Sequence, residues 1–81
     1  MYTLTFKLEN RVKTFTSTSV ESAYETFLIG YGEVLNEVKW VEWEHGIARH
    51  RLDINSFRKQ YRHIEDKVGD NVTEKMMKGG A

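Results

Sequence analysis

Two apolar stripes with one spacing constrain this chain more than any other feature. Val20, Tyr24, Phe27 and Tyr31 recur at i, i+4, i+7 and i+11, and Phe57, Tyr61, Ile64 and Val68 repeat that spacing in the second half. Such spacing lines four side chains along one side of an α-helix. Each stripe follows two short segments with strand chemistry, so the expected element order is ββαββα. Two helices that are each apolar on one side need a sheet to cover, and hairpin-connected strands make that sheet antiparallel. The predicted fold class is α+β: a four-stranded antiparallel sheet with two amphipathic helices on one face and a short C-terminal helical turn.

The strands are read from alternation and turn chemistry. Tyr2, Leu4, Phe6 and Leu8 alternate with Thr3, Thr5 and Lys7, the period of a half-buried strand. Glu9-Asn10-Arg11 reads as a turn. Val12 and Phe15 are of opposite parity, which predicts an edge strand with a bulge over 11–17. Thr18-Ser19-Val20-Glu21 fits a capping box led by the Thr18 hydroxyl, and Gly30 and Gly32 end the helix that begins there, at about 19–30. Glu33 to Glu44 returns to strand chemistry. His45-Gly46 reads as a two-residue hairpin loop, and Ile47 to Leu52 as the fourth strand. Asn55 is the expected cap of the second helix and Gly69 its end. Asn71 to Glu74 caps a last turn through Met76 and Met77. Residues 1–70 are thus expected to form one domain of two hairpin-plus-helix units, 1–32 and 33–70, with 71–81 a short helical or frayed tail.

Composition narrows the function classes. With 81 residues and no cysteine, the chain has one modest core, burying about 60–65% of its unfolded surface. Disulfides, cysteine-based zinc sites and cysteine nucleophiles are excluded. No apolar run approaches the roughly 20 residues of a membrane span, and the N-terminus lacks the apolar centre of a signal peptide. The expected location is the cytoplasm, with no membrane partner. Twelve basic residues balance twelve acidic ones, which argues against a dedicated nucleic-acid binder. The distribution is uneven, however. Glu21, Glu25, Glu33, Glu37, Glu42 and Glu44 face only Lys39 within 21–44, whereas Arg49, Arg51, Arg58, Lys59 and Arg62 face only Asp53 within 45–63. A bipolar molecule is expected.

Two surfaces follow as candidates. In a regular strand Val38 and Trp40 face one side while Val41 and Trp43 face the other. One tryptophan therefore lies on whichever sheet face the helices leave open, where it can anchor a partner. The candidate protein-binding site joins such an aromatic, Trp40 or Trp43, to the acidic residues Glu21, Glu25, Glu37 and Glu42. The alternative is a nucleic-acid interface. Arg49 and Arg51 share a strand face, and Arg58, Lys59 and Arg62 lie one turn apart on the second helix, all of a type that meets phosphates.

Catalytic readings find little support. Gly30 and Gly32 follow a helix instead of opening one, so they form no phosphate loop. Ser19, Ser22 and Ser56 stand at helix starts, where capping accounts for them. His45, Asn55 and His63 resemble in type the residues around the metal of HNH nucleases. His45, though, falls in a tight hairpin loop, and the longer connecting loop of such sites is missing. No catalytic residue, metal or cofactor is expected. The function expected is that of a small non-catalytic protein-binding module, an inhibitor or regulator in the size class of phage or mobile-element accessory proteins, with nucleic-acid binding as the alternative. Pairing the acidic region of one copy with the basic region of another is a route to a homodimer.

Overall fold

In the computed structural model, which describes residues 1–69, the alternation at the N-terminus becomes an inner strand, β1 (Tyr2–Lys7). It pairs antiparallel with β2 (Val12–Ser17) on one side and β3 (Trp40–His45) on the other, and β4 (Ala48–Asp53) pairs antiparallel with β3. The strand order is β2-β1-β3-β4. Both edges of β1 are therefore paired, and its alternate residues Leu4 and Phe6 are fully buried. Helix α1 (Val20–Tyr31) packs over β1 and β2, and α2 (Ile54–Gln60) packs over β3 and β4. A third helix, α3, spans 62–69. The helices share one face of the sheet, so the fold is the α+β arrangement expected.

Between sheet and helices lies one core drawn from both hairpin-plus-helix units. Phe6 stacks on Phe27 at 4.1 Å and meets Phe57 edge-on at 6.2 Å, while Tyr24 meets Phe57 at 4.8 Å. Phe6, Tyr24, Phe27 and Phe57 are all fully buried. Burying an aromatic or aliphatic side chain of this size contributes about 1.5–3 kcal/mol. Among the described residues, no helix is long and apolar enough to cross a membrane.

Local chemistry departs from expectation at several boundaries. The cap of α1 is Ser19, not Thr18: its backbone is extended and its Oγ accepts the Ser22 N–H at 3.0 Å. Gly32 keeps a right-handed conformation (φ −56°), so α1 ends in no left-handed cap but tightens into a 3-10 helix, Gly32–Glu37. Val34 and Leu35 pack against the core from that turn, where a strand was expected. β2 carries no bulge; Val12 faces the open side and is 52% exposed. The hairpin loop is Gly46-Ile47, one residue later than expected, because His45 pairs with Ala48. Gly46 still makes the turn, at φ +62°.

The approach to β3 and the second helix also differ. Val38 is buried in the core while Trp40 lies on the opposite side of the sheet, so the two do not share a face. Lys39 between them is held from both sides, its N–H on the Lys7 carbonyl (2.7 Å) and its carbonyl on the Ile54 N–H (3.1 Å). Asp53, not Asn55, caps α2: Oδ2 accepts the Ser56 N–H at 3.1 Å and Oδ1 accepts the Ser56 hydroxyl at 2.8 Å. These bonds hold the Asp53 carboxyl below its ordinary value. The second helix breaks at Tyr61 (φ −113°, ψ 27°), and the Ile64 N–H restarts it on the Tyr61 carbonyl at 3.0 Å. The stripe survives the break, since Phe57, Tyr61, Ile64 and Val68 are all buried. Gly69, the expected end of this helix, is itself helical and is the last described residue, and the turn expected over 71–77 lies outside the described residues.

Candidate functional site

The sheet face opposite the helices is assembled by strand parity and register. Val12, Lys7, Trp40 and Asp53 form one cross-strand row; Thr14, Thr5, Glu42 and Arg51 form the next; Thr16, Thr3, Glu44 and Arg49 form the third. Threonines cover the β2–β1 half of the last two rows, a glutamate column runs down β3, and an arginine column runs down the edge strand β4. Trp40 is half-buried, and the Arg51 guanidinium lies over its ring, 4.0 Å from the centroid. That is a cation–π pair across adjacent strands. Arg51 Nη2 also donates to Glu42 Oε1 at 3.3 Å, and Arg49 pairs with Glu44 at 2.5 Å. The face holds Lys7, Arg49 and Arg51 against Glu42, Glu44 and Asp53, so its formal charges cancel.

The other tryptophan is on the covered side. Trp43 is 9% exposed, 5.9 Å from Phe57 and edge-on to Tyr61 at 6.5 Å. It packs the core and cannot anchor a partner. The acidic residues divide as well. Glu42 shares the open face with Trp40, but Glu21 and Glu25 lie on α1 in the helical layer, and Glu37 ends the 3-10 helix. Glu25 is committed to Lys67 at 3.5 Å. The basic residues split along the same plane. Arg49 and Arg51 belong to the open face, whereas Arg58, Lys59 and Arg62 line a shallow groove of about 300 Å³ in the helical layer with Asn55 and Glu65.

Within that groove Arg58 is already engaged. Its guanidinium grips Glu65 through Nε and Nη2, the shortest bond being 2.9 Å, and the Tyr24 hydroxyl donates to the same carboxylate at 2.8 Å. Burial alone would raise the Glu65 carboxyl, but the bonds from Arg58 and Tyr24 outweigh it and hold the group below its ordinary value. Burial, then the Glu65 carboxylate, push the Tyr24 phenol well above the usual range. The Glu65 bonds hold Arg58 firmly charged. This knot ties α1, α2 and α3 together, so only Lys59 and Arg62 of the predicted helical cations are left outside it.

A second cleft of about 300 Å³ opens where α1 begins, lined by Tyr2, Glu21, Trp43, His45, His50 and Tyr61 among others. Tyr2 stacks on His45 at 4.1 Å, and His50 lies 5.5 Å from Trp43. Burial, then the Glu21 carboxylate, raise the Tyr61 phenol. Among the described residues, no group of three or more His, Asp or Glu side chains converges on a point where a metal could sit. The aromatic contacts here, Tyr2 on His45 and Trp43 beside His50, pack the hairpin end.

Two features of the open face were missed in the sequence reading. Arg51 over Trp40 is one, and the threonine rows are the other. The parity of Thr3 and Thr5 against Thr14 and Thr16 is a usable signal for the rows, and the expected His45-Gly46 loop already sets Arg51 opposite Trp40, where the observed register sets it on the diagonal, opposite Glu42. Comparison of the chain with protein-family models, curated proteins and solved structures finds no match to any of them.

Proposed function

We propose that this chain is a small non-catalytic protein-binding module, acting in the cytoplasm, whose partner docks on the open sheet face around Trp40 and Arg51. The observation that carries the reading is the Arg51 guanidinium over the half-buried Trp40 ring. Tryptophan and arginine are the side chains that most often dominate protein interfaces, and a ring already held in place loses little freedom on binding. Charge points the same way. The two face arginines are paired with Glu42 and Glu44, so a phosphate backbone would meet a neutral surface and gain little from counterion release. Blocking or regulating a host protein, as accessory proteins of phages and mobile elements do, is a use that suits so small a domain. That step rests on size alone.

Nucleic-acid binding stands second, on the groove bearing Lys59 and Arg62. Affinity capture from cell lysate separates the two. Wild type and a Lys59→Glu/Arg62→Glu variant are expected to retain the same protein, and Trp40→Ala is expected to lose it with at least a roughly 30-fold drop in affinity. Capture that survives Trp40→Ala, or a wild type that binds only nucleic acid and loses it in the charge-reversed variant, overturns the reading.

A further inference from the structure

β2 is the outer strand on one side of the sheet, and the direction of its backbone groups follows from two hydrogen bonds. The Leu8 N–H donates to the Arg11 carbonyl at 2.8 Å and closes the first hairpin, while the Lys7 carbonyl turns to the other side and accepts from Lys39. Bonding alternates along an antiparallel ladder. With Phe6 opposite Lys13 and Leu4 opposite Phe15, it is Lys13 and Phe15 that bond to β1. The N–H and C=O groups of Val12, Thr14 and Thr16 therefore point out from the sheet, and all three residues are exposed.

The edge is lightly guarded, an inward-pointing lysine being the one usual guard that β2 carries. β2 has no bulge and no proline. Its one charge, Lys13, is drawn inward with Nζ 4.8 Å from the centre of the Tyr31 ring. The opposite edge, β4, carries Arg49, His50 and Arg51, and its last residue caps α2.

We propose that β2 is a self-association edge, to which a second copy of this chain adds its own β2 antiparallel about a two-fold axis at Thr14. The register selects this occupant. With Thr14 opposite Thr14 of the second copy, Val12 falls opposite Thr16 on each side, so every outward-bonding residue meets another. All three share one parity, so the open faces continue across the junction and both helical layers lie on the same side. No like charges meet, since Lys13 stands opposite Phe15 of the second copy. Joining β4 to β4 at the equivalent register sets Arg51 against Arg51, and joining β2 to β4 gives a contact that does not close.

Helix α1 is suited to the same arrangement. Tyr24 and Glu25 reach Glu65 and Lys67 of α3, which leaves Ser22, Thr26 and Gly30 along the flank above the free edge. α1 packs over both β1 and β2. At about 4.8 Å per strand, the two copies of α1 then lie roughly 10 Å apart, a packing distance for helices. Small residues on that flank allow the approach, and Ile29, 70% exposed, borders it.

Sedimentation equilibrium of the full chain reads the proposal as a mass that climbs with concentration from 9.5 kDa toward twice that value. Thr14→Pro removes an N–H that β1 does not use, as edge strands tolerate, and is expected to stay monomeric with its circular dichroism unchanged. Thr14→Lys sets two like charges across the axis without constraining the backbone, and is expected to weaken association at least about tenfold. Trp40→Ala, away from the edge, keeps the dimer. A wild type at monomer mass up to about 1 mM overturns the proposal and leaves the edge to an extended segment of another protein. A dimer that both Thr14 variants leave intact overturns it too.

Discussion

Glu65 accepts bonds from the Arg58 guanidinium and the Tyr24 hydroxyl at once, and so joins three helices at a single carboxylate. Its carboxyl titrates in the fold below the ordinary 4.5. A group lowered on folding stabilises fully above its unfolded value and loses that contribution as pH falls through the folded value. Tyr24, raised on folding, has the opposite sign, and its share is lost as pH rises above the ordinary 10.0. Glu65→Gln is therefore expected to melt lower than wild type at neutral pH and to lose less on acidification. Thermal melts between about pH 7 and pH 3 check this, and parallel acid limbs for the two proteins would remove the carboxylate from the account. None of this knot was legible in the sequence. Tyr24 and Glu65 are 41 residues apart, and nothing local tells a helical tyrosine which carboxylate it will meet.

Helix starts show what local chemistry can and cannot decide. Helices α1 and α2 begin in runs rich in good capping residues, Ser17-Thr18-Ser19 and Asp53-Ile54-Asn55-Ser56, so the presence of a cap was legible and its position was not. Asp53 won because β4 delivers it in extended conformation with its carboxylate on Ser56. Asp53→Ala is expected to lower the melting temperature by about 4–8 °C, the usual cost of a lost cap in a domain this size, while Asn55→Ala leaves it nearly unchanged. The reverse order in calorimetry would restore Asn55 as the cap. Two other element-scale features had no sequence signal. The 3-10 helix at Gly32–Glu37 carries Val34 and Leu35 in a short apolar run that fits strand or helix equally. The break at Tyr61 leaves Phe57, Tyr61, Ile64 and Val68 all buried, so the stripe reads as unbroken and periodicity passes straight over it.

The whole molecule is a sheet with one covered face and one open face, and both candidate surfaces depend on that asymmetry. The order of elements, the four strands and the sharing of one face by the helices followed from the two stripes. The partition of the charged residues did not, because it requires knowing which sheet face the helices take. That choice placed Glu42, Arg49 and Arg51 beyond the sheet from Glu21, Glu25, Lys59 and Arg62, and so divided each predicted patch in two. That one tryptophan would be open was legible from alternation alone; that it is Trp40 depends on which side the helices take. Acrylamide quenching of two single-tryptophan variants tests this division most directly. Trp43→Phe, retaining Trp40, is expected to be quenched steeply with red-shifted emission, and Trp40→Phe, retaining Trp43, to be shielded and blue-shifted. Equal quenching, or a shielded Trp40 beside an accessible Trp43, would contradict the account of the open face and the binding reading built on it.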